Sequence, residues 1–242
     1  MGNHPGTYAK RFGLSVIWIA IIAVVSIFWM QQQEEGGEFG HVAFAAELEF
    51  EATDAGFRYG LPIDPSRIAR YYKNLSTELG EFFIYMYKYK EGFYAGADIG
   101  GQFYELAKVG YGSNPELIDM EESMLFGIPS VRIRGYCAPS CPIADYITVE
   151  DGYPHIWLHV DASVQEYDLN QDGTKDLITT VGTPLETSVY MFMEGILMSA
   201  SVNEALDSKS VSFFQDGRFI AYVPNSALTR TYTFHEGQLV TK

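Results

Sequence analysis

Basic side chains are scarce in this chain of 242 residues. Sixteen Lys and Arg stand against 31 Asp and Glu, a net charge of −15. That excludes a face able to neutralise nucleic-acid phosphates, so nucleic acid is not among the expected partners. It equally disfavours electrostatic docking on an anionic lipid surface. Cysteine is scarcer still: two residues cannot make a disulfide-rich scaffold. No phosphate-binding glycine loop, GxGxxG, HExxH or nucleophile elbow is present. Apolar residues are plentiful, with 47% hydrophobic and 15% aromatic, which excludes a disordered chain and supplies a real core.

The charge is unevenly spread. Residues 1–30 carry no Asp or Glu, only Lys10 and Arg11, so the remainder holds 31 acids and 14 bases, a net of −17. Phe12 to Met30 is nineteen residues without a charge. At a helical rise these span roughly 28 Å, close to the thickness of a bilayer core. Lys10 and Arg11 precede the run, which puts the N-terminus on the cytoplasmic side. The reading is a cytoplasmic tail (1–11), a transmembrane helix in the lipid bilayer (12–30), a polar tether (31–42) and an extracytoplasmic bulk. A cleaved signal segment is the rival: Ala43-Phe44-Ala45 has the small-x-small pattern, although it lies thirteen residues beyond Met30. Cleavage near Ala45 would make the protein secreted. A buried soluble helix is the third reading. No lipobox cysteine supports a lipoprotein anchor.

Beyond the tether, residues 43–135 read as a membrane-proximal α+β region. Residues 43–57 fit helix or strand. From Asp64 a helix is expected: Asp64 can cap it, Pro65 fits its first turn, and Gly80 can close it. Ile68, Tyr71, Tyr72, Leu75 and Leu79 recur at helical spacing. Phe82 to Lys90 then turns strand-like, with Tyr85, Tyr87 and Tyr89 on one face. Residues 110–123 read as a loop with one helical turn. Residues 136–242 show a repeat. An acid followed by glycine recurs at Asp151-Gly152, Asp172-Gly173, Glu194-Gly195, Asp216-Gly217 and Glu236-Gly237, at intervals of 21, 22, 22 and 20. Most pairs lie between β-branched and aromatic runs, the pattern of successive hairpins with glycine at the turn. The fold class expected is mainly β: successive antiparallel hairpins, either a partial propeller or a plain meander, with one or two helices.

The sharpest motif is Asp168-Leu-Asn170-Gln-Asp172-Gly173-Thr174-Lys-Asp176. Oxygen-bearing side chains stand at positions 1, 3, 5 and 9, with glycine at 6. Calcium wants six to eight oxygens, and a tight loop of alternating short acids aims them inward. Three carboxylates so close repel one another without a cation. The helix-loop-helix calcium hand fails as a template. Position 12 is Thr179 rather than glutamate, and both flanks are strand-like. YDLNQDGTKDLITT instead resembles the calcium loop of FG-GAP/VCBS repeats, the integrin-α-like propeller blade. The resemblance is specific over 164–182, weak over 143–242 and absent from 31–125. It implies Ca²⁺ as the ion and Asp168, Asn170, Asp172, Thr174 (through its carbonyl) and Asp176 as the ligands. One such loop is present, where the family carries several.

Other features are weaker. Cys137 and Cys141 can close a small disulfide in an oxidising compartment; free thiols and a metal or redox pair are the alternatives. His155 and His159 fall on a strand, about 13 Å apart, too far to share an ion. Tyr85, Tyr87 and Tyr89 read as sheet core or as a sugar- or peptide-binding face. The expected role is a membrane-anchored calcium-binding β protein with a binding or envelope-structure function and a protein or polysaccharide partner outside the cell. An envelope hydrolase with its site in 43–135 and an accessory subunit of a membrane complex are the alternatives.

Overall fold

Strand-forming runs broken by glycine turns organise the chain, and a computed structural model describes residues 44–111, 114–223 and 228–241. These residues build four antiparallel five-stranded sheets. The tail, the apolar run 12–30 and the tether lie outside the described residues. Among the described residues no helix is long and apolar enough to cross a membrane.

Each sheet takes four consecutive strands from the chain. The first contains β5 (Ile68–Thr77), β6 (Gly80–Tyr87), β7 (Phe93–Ile99) and β8 (Gln102–Gly110). The second contains β9 (Asp119–Leu125), β10 (Ile128–Ala138), β11 (Cys141–Glu150) and β12 (Tyr153–Val160). The third contains β13 (Ser163–Tyr167), β14 (Asp176–Val181), β15 (Glu186–Met193) and β16 (Ile196–Ser201). The fourth contains β17 (Val211–Phe214), β18 (Arg218–Tyr222), β19 (Thr229–His235) and β20 (Gln238–Thr241). The acid-glycine pairs mark the first and third turns of these meanders. The repeat also continues upstream without its acids: Gly80, Gly101 and Gly127 hold equivalent places. All eight glycines have positive φ, between 74° and 140°, which a side chain at those turns would strain.

The fifth strand of every sheet comes from one short segment. β1 (Ala45–Glu47) pairs with β20, β2 (Glu51–Ala52) with β16, β3 (Arg58–Tyr59) with β12 and β4 (Leu61–Pro62) with β8. Residues 45–62 thus form a strap that visits the four sheets in reverse chain order. Further backbone bonds fasten it, such as Thr53 N–H to the Leu197 carbonyl (3.0 Å) and His159 N–H to the Ala55 carbonyl (2.8 Å).

The core lies between consecutive sheets. Phe82, Ile84, Phe93 and Val109 of the first sheet meet Val131, Ile133, Ile147 and Ile156 of the second. The second turns Tyr146, Trp157 and Leu158 towards Val164, Leu177 and Leu197 of the third. The third and fourth share Ile178, Val189, Phe213, Phe219 and Leu239. The second and third sheets are thus buried on both faces. This explains why strands such as ADYITV (144–149) read as nearly continuous apolar runs.

The helix expected from Asp64 is a correction. Asp64 does accept the Ser66 N–H at 2.8 Å, and Pro65 does open a turn, but one 3-10 turn ends at Arg67 and β5 follows. The helical spacing of its apolar residues arises from two β-bulges, between Ile68 and Arg70 and between Tyr71 and Lys73. Each bulge adds one residue and reverses which face the next side chain takes. Ile68 and Tyr71 serve the outer face, where Tyr71 meets Phe83 at 5.2 Å. Tyr72, Leu75 and Leu79 serve the face against the second sheet. Region 43–135 is therefore not α+β. Among its described residues the only helical pieces are 3-10 turns at Pro65–Arg67 and Pro115–Leu117. Its limit at 135/136 falls inside β10, and residues 44–242 make one compact unit. The one α-helix among the described residues, α1, is Val202–Ala205.

Cys137 and Cys141 are joined across the β10–β11 turn, their Cα atoms 5.3 Å apart. Closing so short a loop contributes about 2 kcal/mol on the chain-entropy model. The Cys137→Ser/Cys141→Ser double variant should accordingly lose no more than about that much in urea unfolding. Gly135 is less forgiving, because a Cβ there would overlap the Val109 carbonyl of the adjoining sheet. Gly135→Ala should cost about 2 kcal/mol or more in the same measurement, since backbone cannot swing aside as a side chain can.

Candidate functional site

The loop between β13 and β14 gathers the five ligand candidates. Asp168 accepts the Asp172 N–H (3.1 Å) on one carboxylate oxygen and the Gly173 N–H (3.0 Å) on the other. Asn170 Oδ1 also accepts from Asp172 N–H at 3.1 Å, and Asp172 accepts from Thr174 N–H at 2.7 Å. The Asn170 amide donates to Asp172 at 2.8 Å. Gln171 and Gly173, at φ 59° and 88°, allow the tight turn. These bonds hold the exposed Asp172 carboxyl below its ordinary range, the Asn170 amide contributing most.

Asp176 is different. It is buried, 4% exposed, and accepts the Leu169 N–H at 3.0 Å. Burial first, then the charges of Asp172 and Asp168, push its carboxyl up to about 7. Among the described residues no Lys or Arg pairs with Asp168, Asp172 or Asp176; Lys175 turns instead to Glu166 at 3.4 Å. The donor set is all oxygen, the chemistry of a hard divalent cation, and Asp168, Asn170, Asp172, the Thr174 carbonyl and Asp176 are the groups that could hold one. In the conformation described, the acids are turned onto the loop's own N–H groups. Among the described residues no three His, Cys, Asp or Glu side chains converge on a common point.

Two residues before Asp168, a charged seam joins the second and third sheets. Glu166, its side chain 5% exposed, receives Arg132 Nη1 at 2.6 Å, Ser123 Oγ at 2.9 Å and Tyr146 Oη at 3.3 Å. Arg132 also pairs with Glu121, and its buried Nε–H has no partner. Burial pushes the Tyr146 phenol up. A second buried acid, Asp145, takes Arg58 of the strap at 3.2 Å and His159 Nδ1 at 2.7 Å. That bond raises the His159 pKa, desolvation opposing it. His155 lies apart, beneath Phe57 and Tyr59.

The tyrosine face divides. Tyr85 and Tyr87 are buried and both donate to Glu105, while Lys90 lies 4.4 Å over the Tyr87 ring. Burial pushes the Tyr87 phenol up to about 12. Tyr89 is 93% exposed and stands beyond the strand. The structure therefore brings the loop residues 168–176 together. Cys137 and Cys141 lie in another turn, and Tyr89 leaves its neighbours. Sequence reading missed Arg132, Glu166, Asp145 and Arg58. The available signal was parity: Glu166 shares a strand face with buried Val164, and Asp145 interrupts an apolar run.

Comparison with family models, with curated proteins and with solved structures finds no match.

Removing one partner of a buried ion pair strands the other. Glu166→Ala should therefore destabilise the fold by about 3 kcal/mol. Asp119→Ala, which breaks the half-exposed pair with Arg134, should cost under about 1 kcal/mol. Equal losses in chemical denaturation would contradict this ranking.

Proposed function

We propose that this chain is a calcium-stabilised β-sheet binding protein held outside the cytoplasm by its N-terminal apolar run. The observation that carries the calcium reading is Asp176: a buried carboxyl beside Asp168 and Asp172, with no basic side chain paired to any of the three among the described residues. A divalent cation would supply the missing positive charge and hold β13 to β14 through Asp168, Asn170, Asp172, Thr174 and Asp176. The ion's role here is structural: it neutralises the acids and rigidifies the loop. The finer fold reading is that each four-stranded meander corresponds to a propeller-type blade, in keeping with the FG-GAP/VCBS resemblance of the loop. The anchor reading rests on residues 12–30 and on Lys10 and Arg11 before them. A binding or envelope-structure role, with a protein or polysaccharide partner, is in keeping with the resemblance of the loop to calcium-loop β repeats. The link from fold to role is by analogy.

Calcium at about a hundred times its Kd should stabilise the fold by about 2.7 kcal/mol, a rise in Tm of roughly 5–10 °C over chelator. Asp172→Ala should abolish that rise; an unchanged wild-type Tm in chelator would sink the ion's role. The pH dependence has a defined sign. Without the ion, Asp176 binds its proton more tightly folded (about 7) than at its ordinary value of 3.8. The folded state therefore holds more protons between those values, and stability falls as pH rises through that window. The calcium-dependent gain in Tm should consequently be larger at pH 8 than at pH 5. For topology, protease added to intact cells should remove the C-terminal region; full protection would overturn the orientation.

A further inference from the structure

The strap covers one edge of each sheet, and the first strands β5, β9, β13 and β17 form the opposite edges. Two cavities open along these edges between the second, third and fourth sheets. They share Arg134 and Val164 and so make one trough. The larger part is about 370 Å³, room for a disaccharide-sized ligand. Its walls carry Glu121 and Glu122 from β9, Arg132 from β10, Tyr167 and Lys175 beside the acidic loop, and Gln215 after β17.

Three observations narrow the occupant. First, every cation in the trough is already ion-paired: Arg132 with Glu166 and Glu121, Arg134 with Asp119, and Lys175 with Glu166. An anionic ligand would have to break one of these pairs, whereas a neutral one can hydrogen-bond to them as they stand. Second, edge carbonyls near the trough are taken by side chains. Gln165 Nε2 donates to the Phe213 carbonyl (3.2 Å), Thr187 Oγ1 to that of Val211 (2.7 Å) and Lys73 to that of Ile118. A peptide strand added to β17 would compete with the first two. Third, the trough offers directional groups and a fixed aromatic wall. Glu121, Glu122 and Gln215 are exposed. Tyr167 is wedged between Phe213, at 5.6 Å, and Gly217, where a Cβ would meet the Tyr167 hydroxyl.

We propose that this trough binds a neutral saccharide, its hydroxyls bonded to the exposed Glu121 and Glu122 carboxylates and the Gln215 amide, and its C–H face laid on Tyr167. The proposal deepens the binding-protein reading above. Tyr167 and Lys175 bracket the loop 168–174, so fixing that loop also fixes two walls of the trough.

The test is calorimetric titration of the full-length protein with a panel of neutral mono- and disaccharides, including maltose, cellobiose and N,N′-diacetylchitobiose, at low and high salt. At least one should bind saturably with an affinity that salt leaves unchanged. Gln215→Ala and Tyr167→Ala should each weaken it about tenfold. Gln215 is exposed, so its variant reads binding rather than folding. No binding by any member, binding undiminished in both variants, or affinity that falls with salt would overturn the proposal. Saccharide binding that persists in chelator, alongside a Tm indifferent to calcium, supports the trough while sinking the ion's role.

Discussion

A sheet edge presents a row of backbone donors and acceptors that must be satisfied, and this fold answers that constraint with a single segment. Eighteen residues, 45–62, add a strand to each of four sheets, so the four meanders are coupled through one stretch of chain. Each attachment is two or three residue pairs long. No one of them is strong, but they lie in series on the same backbone. The side-chain link from Arg58 to Asp145, itself bonded to His159, adds a charged fastening where the strap crosses the second sheet. The strap also joins the two ends of the described chain, since β1 pairs with β20.

The opposite edges are managed by other means. There, side chains from adjoining sheets reach the edge carbonyls, and the seam of Arg132, Glu166 and Tyr146 ties the second sheet to the third. The seam is one of several charged groups buried here, with Asp145 and Asp176. It places a cluster of polar groups next to the acidic loop, while the strap is fastened by backbone bonds and by Arg58 on Asp145. Acid is thus organised locally: among the described residues Glu166 has cationic partners, whereas Asp168, Asp172 and Asp176 are bonded by N–H groups and pair with no Lys or Arg.

Much of the β character was legible because it is local. The acid-glycine spacing of about 21 residues marks half a meander, and strand formers between the turns do the rest. The upstream half of the repeat was hidden because Leu79-Gly80, Gly100-Gly101 and Phe126-Gly127 make the same turns without an acid. The segment after Asp64 misled for a physical reason. Two bulges in β5 shift its side chains between faces, which imitates the spacing of a helix stripe. Asp64 and Pro65 were read correctly as cap and first turn, whereas Gly80 opens β6 and closes no helix; a cap starts a turn and does not guarantee its continuation, because helix propagation depends on packing.

The order of residues by itself determined where the turns fall, which stretches are strand, and that five oxygen-bearing groups share one loop, since each depends on neighbours only a few positions away. Tertiary structure alone decided that 45–62 would serve four sheets, that Arg132 would meet Glu166 across 34 residues, and that Asp145 would be buried with His159. Those contacts join segments distant along the chain. They exist only because stacked sheets bring them within hydrogen-bond reach, where burial and partner charges together set their chemistry.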